Sequence, residues 1–303
     1  MKKLIFISLA TLLLGGIFYS CKKDKASLSG VKSNAWNAGS QDQRLYDQLK
    51  DLCNKYKSPQ HARGFWLSVF CGVVNDFCGA AGGAELGGQI GGLWGAGIGA
   101  IVCGGVASFS IIDHQQFGHD DLFRFASGYQ DETPSNPGNP YDAVGSSHNR
   151  LLQQCFMNYT NALDDEGSLS VPALLQFIQK DTENYYQGPS QEAALIPKFG
   201  EEEIKMLLQQ FDGWKVNDSG DWGPILKDLA SLNYIQENEQ PLLELYLNTI
   251  SNCDNLDSFN KFGISFENDV AGSDSLNDSE KAKLLSCLSL CRYSCNFWYQ
   301  FLH

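Results

Sequence analysis

Positive charge is scarce in this sequence. Its 303 residues hold 22 Lys and Arg against 35 Asp and Glu, a formal net charge of −13. A body that negative is a poor match for nucleic acid or for anionic lipid headgroups, so nucleic-acid binding is set aside. The spacings that carry common chemistry are missing as well. No G-K-[ST] follows the glycine-rich stretch and no strand precedes it, which excludes a phosphate loop. No G-x-S-x-G elbow supports a serine nucleophile. Neither 162–167 nor 212–221 sets acidic ligands and glycine in EF-hand register. β-Hairpin signals and regular strand spacing are absent too, so the fold is expected to be all-α. The length allows one large domain or two small ones.

The N-terminus carries a clear pattern. Met1-Lys2-Lys3 is a basic head, Leu4 to Phe18 is apolar but too short for a good membrane span, and Tyr19-Ser20-Cys21 follows. This is the pattern of a signal peptide over 1–20. The stretch Ile17 to Cys21 resembles a loose bacterial lipobox, which implies Cys21 as the lipid-modified first residue of the mature chain; plain secretion is the alternative. Cleavage there removes Lys2 and Lys3 and no acid, so the formal charge falls from −13 to −15. Residues 21–40 are polar, small and aperiodic, a flexible tether reaching roughly 25 Å. Ser40 to Gln43 has capping-box spacing, and Leu45, Leu49, Leu52 and Tyr56 recur at helical intervals. A first helix is therefore expected from about Gln41 to Lys57.

Residues 79–99 read GAAGGAELGGQIGGLWGAGIG. Gly79, Gly83, Gly87, Gly91, Gly95 and Gly99 form one row at four-residue spacing, and Ala80, Ala84, Gly88, Gly92, Ala96, Ala100 and Gly104 form a second beside it. Leu86, Ile90, Trp94, Ile98, Val102 and Val106 line the opposite, bulky face. The pattern resembles a glycine zipper, in which missing side chains let two helix backbones approach. Thirteen glycines lie between 72 and 105, each costing up to about 1 kcal/mol in a helix interior. Alone in water the segment would not be helical, so it needs a partner from its own chain, a second copy or a membrane. A bend near Gly82-Gly83 would make a hairpin, with Asn75, Asp76, Glu85 and Gln89 at the turn or a wet edge. Leu86 to Ile112 is uncharged and long enough to span a bilayer, but the flanking charges run against the usual positive-inside bias.

Asp131 to Pro140, DETPSNPGNP, is the best internal boundary. Beyond it helices are expected over 148–163, capped by Ser146 or Ser147, and over 170–186, 201–211, 224–232, 241–251 and 279–302. The chain thus divides into a signal peptide (1–20), a tether (21–40), N-terminal helices with the glycine-rich segment (41–130) and a C-terminal helical region (139–303). The fold expected is a helical domain with a tightly packed Gly-rich helix or helical hairpin.

Asn139-Pro140-Tyr141-Asp142, then Gly145, His148 and Asn149, resemble the NPYDxxGxxHN signature of a group of bacterial lipoproteins with an upstream Gly-rich helix. Trp66, Asp76, Glu267-Asn268, Ser279-Glu280-Lys281, Leu284-Leu285, Arg292-Tyr293-Ser294 and Trp298 agree with that resemblance, which spans about residues 60 to 300. It implies architecture and localisation and brings no activity.

Locally, the NPYD segment reads as a turn. Proline fixes φ, Asp142 can accept backbone hydrogens in an Asx-turn, Gly145 tolerates unusual φ, and His148 and Asn149 enter the first helical turn. A chemical alternative has Asp142 orienting His148 as a general base beside Ser146 or Ser147. Nine cysteines follow Cys21, at 53, 71, 78, 103, 155, 253, 287, 291 and 295. They read as small apolar packing residues with one or two disulfides across helices. Cys287, Cys291 and Cys295 share a face, but they lack C-x₂-C closeness and a clustered histidine, so no metal is expected. Asp113-His114 with His119-Asp120-Asp121 reads as a solvated polar loop.

Together these features suggest a protein anchored by lipid to the bacterial envelope, at the outer membrane on its periplasmic or surface face. Its expected role is structural or interaction, without catalysis or cofactor, and self-association through the glycine rows is an expected contact. The alternative is a membrane-active, toxin-like or pore-forming protein whose glycine helix inserts into a bilayer.

Overall fold

The computed structural model describes residues 40–56, 63–115, 118–158 and 222–302, with Ser170, Ala173 and Gln176. The expected signal peptide, Cys21 and the tether up to residue 39 lie outside the described residues, as do the helix expected over 201–211 and nearly all of the one over 170–186, while Ser40, expected to end the tether, is helical. Among the described residues are eight helices and no strand: α1 (Ser40–Tyr56), α2 (Arg63–Gln115), α3 (His119–Gly128), α4 (Asp142–Met157), α5 (Gly223–Ser231), α6 (Gln240–Ile250), α7 (Leu256–Ala271) and α8 (Asp278–Leu302). All belong to one unit, Ala38–His303.

The glycines decide the shape of α2. A straight helix of its 53 residues would extend about 80 Å, with positions 87 and 95 about 12 Å apart. Instead the run doubles back. A Cβ added at Gly83 would fall 2.6 Å from the Gly99 carbonyl carbon, one at Gly87 2.7 Å from that of Gly95, and one at Gly79 2.9 Å from that of Cys103. Each pair is centred on residue 91, so α2 is an antiparallel hairpin turning there and not at Gly82-Gly83. Its arms meet backbone to backbone, and only glycine permits that distance. Gly91, at the centre of the turn, has surroundings outside the described residues. Each arm supplies the partner surface that so glycine-rich a helix requires.

Helix α8 is the central element, buried without a break from Leu284 to Trp298, and packed against α2, α4 and α7. Gly72 on the first arm lies flat on the Trp298 indole, where a Cβ would come within 2.6 Å, and Gly104 on the second arm faces Leu290. At one end Phe125, Tyr129, Phe156, Phe297, Trp298 and Phe301 pack tilted or edge to face with centroids 4.8 to 6.4 Å apart. Helix α1 lies against α6 and α7 through Leu45, Leu49 and Cys53, all buried.

Several local expectations are corrected. The 146/147 cap is not used: α4 begins at Asp142 with no side-chain cap and ends at Met157. His119, Asp120 and Asp121 form the first turn of α3, where the negative charge of the two aspartates suits the helix dipole. α7 has no counterpart among the expected helices; Asn255 caps it by accepting from the Ser258 amide at 2.9 Å. Asn277 and Glu280 make a reciprocal box at the start of α8, Asn277 accepting the amides of Ser279 and Glu280 and donating its own to Glu280. No described helix is long and apolar enough to cross a membrane.

Candidate functional site

The NPYD segment leads into a seam of buried polar groups along α8. Two Asx-turns shape the approach. Asn136 Oδ1 accepts the Gly138 amide at 3.0 Å and Asn139 Oδ1 accepts the Tyr141 amide at 2.8 Å. The asparagines, not Asp142, therefore make the turns. Their side-chain amides point inward, where Asn136 Nδ2 and Asn139 Nδ2 both donate to Glu267 Oε2, at 2.9 and 3.0 Å. Asn139 also donates to the Leu285 carbonyl at 3.2 Å. Segment 131–140, the best boundary in the sequence, is thus bonded into α7 and α8 along its second half.

Arg292 organises the first cluster. Its Nε donates to Glu267 Oε1 at 2.8 Å, and its two terminal nitrogens donate to the Pro134 carbonyl and to Asp142 Oδ1. Asp142 Oδ2 accepts the Asn136 amide at 3.0 Å and the Tyr293 hydroxyl at 3.1 Å. Arg292 and Glu267 have no solvent exposure. Burial opposes the guanidinium charge, but the Glu267 field and hydrogen bond, with Asp142 behind them, more than offset it and raise its pKa. Burial first, and then Asp142, push the Tyr293 hydroxyl up as well, so it stays a donor. The guanidinium also sits 4.8 Å from the centre of the Tyr293 ring.

The second cluster is centred on Asp76, in the first arm of α2. Asp76 was expected near a turn or wet edge; it is fully buried. Ser108, on the opposite arm, donates to Oδ1. Oδ2 accepts from Ser294 Oγ at 2.5 Å and Trp298 Nε1 at 2.7 Å. His148 Nε2 stands 3.3 Å from the same oxygen. Its Nδ1 has no partner and faces the bare Cα of Gly104. Asp76 therefore joins both hairpin arms to α4 and α8.

The motif residues fall into place around these clusters. Gly145 is needed for closeness, because a Cβ there would meet the Ser289 carbonyl at 2.6 Å and the Tyr293 ring; unusual φ plays no part. Asn149 Nδ2 donates to the Tyr129 hydroxyl and the Tyr293 carbonyl, both at 2.9 Å. Pro140 and Tyr141 lead into α4, whose amino end is held by Ser289 Oγ donating to the Asp142 carbonyl at 2.8 Å. The Asp142–His148 pair of the chemical alternative is not formed: Asp142 faces Arg292, His148 faces Asp76, and Ser146 bonds the Ala143 carbonyl. Asp76, Glu267 and Arg292 carry no assigned role in the sequence reading. The signal was there: Arg292 is the only charge between Leu284 and Leu302, and a lone charge in an apolar helix needs a buried partner.

Eight cysteines, at 53, 78, 103, 155, 253, 287, 291 and 295, are buried and unbridged. Burial pushes the thiols of Cys103 and Cys253 up to about 12 and those of Cys78, Cys287, Cys291 and Cys295 upward too. The expectation of disulfides is not met at these eight positions, where the thiols pack as small apolar groups. Among the described residues no three His, Cys, Asp or Glu side chains gather as metal ligands. Comparison with protein-family models, curated proteins and solved structures finds no match to this chain.

Proposed function

We propose that this protein is a lipid-anchored component of the bacterial cell envelope with a structural or interaction role and no catalytic one. One observation carries the reading against chemistry: among the described residues, the clustered side chains suited to acid–base work, Asp76, His148 and Glu267, have no solvent exposure and are bonded to one another or to the scaffold, Arg292 included. A group that no substrate reaches holds helices together. The anchor rests on the lipobox-like stretch ending at Cys21, and the bacterial lipoprotein group on the NPYDxxGxxHN resemblance. The proposal places any contact between copies away from Gly79, Gly83, Gly87, Gly95 and Gly99, which face their own chain.

Detergent-phase partitioning tests the proposal. The wild-type chain, labelled with radioactive palmitate, should enter the detergent phase, while Cys21→Ala should lose the label and leave the membrane. Retention of unlabelled Cys21→Ala in membranes after a carbonate wash would replace this reading with insertion of α2. In parallel, His148→Gln should lower thermal stability; loss of the cellular phenotype with an unchanged melting curve would refute a purely structural role.

A further inference from the structure

We draw no further inference here: the strongest candidate, the apex of the α2 hairpin where Leu93 stands exposed beside the exposed Gln89, carries nothing, because a single exposed leucine is ordinary on a folded surface and nothing among the described residues shows what covers it.

Discussion

Gly83→Ala should destabilise the fold although alanine is the better helix former. Propensity alone favours the change by up to about 1 kcal/mol. The added methyl, however, would stand 2.6 Å from the Gly99 carbonyl carbon and 2.7 Å from Cys103 Cβ, against a limit of 3.0 Å that real Cβ atoms respect. Backbone cannot swing aside as a side-chain tip can, so the arms must part by about 1 Å, which forfeits a quarter to a half of the dispersion at each contact along the seam. Overpacking of this kind costs about 1–3 kcal/mol or more. The net loss, about 2 kcal/mol, lowers Tm by about 4–8 °C in a body of this size. Gly88 is the control on the same arm, since its nearest neighbour would be Ala96 Cβ at 3.9 Å. Gly88→Ala should raise Tm by about 2–4 °C through propensity alone. Both are read by far-ultraviolet circular dichroism on the chain lacking its first 21 residues. Equal shifts, or a Gly83→Ala variant more stable than Gly88→Ala, would refute backbone contact between the arms.

Arg292→Met should cost about 3–5 kcal/mol in chemical denaturation, because it leaves Glu267 buried without its cation. Adding Glu267→Gln should restore part of that loss, and a double variant no better than the single one would refute the pairing. Alkylation mapped by mass spectrometry should find Cys53, Cys78, Cys103, Cys155, Cys253, Cys287, Cys291 and Cys295 unmodified in the native protein and modified after unfolding in guanidinium. Rapid modification of any of the eight in the native state would contradict its burial.

Helix content was legible in the sequence because it depends on local spacing. The apolar period of 45, 49, 52 and 56 located α1, and the prolines at 224 and 241 sit in the first turns of α5 and α6. Glycine spacing showed that two backbones approach closely, since that is a statement about one face of one helix. Where the run turns could not be read from it, because a row repeating every four residues is compatible with a bend at 83 or at 91. Only the pairing of Gly87 with Gly95 and Gly83 with Gly99 fixes the centre. The motif shows the same division. Turn chemistry at 136–142 follows from Asn and Pro in sequence, but the destinations of its side chains lie far along the chain, Asn139 on Glu267, Asp142 on Arg292 and His148 on Asp76. The sequence by itself sets Asp76 and Arg292 as lone charges in apolar runs, each needing a partner if it is buried, although the spacing points Asp76 to a turn or wet edge. Tertiary packing decided which partner, because a buried charge is satisfied by whatever donor or acceptor the fold brings within about 3 Å, and sequence distance has no bearing on that.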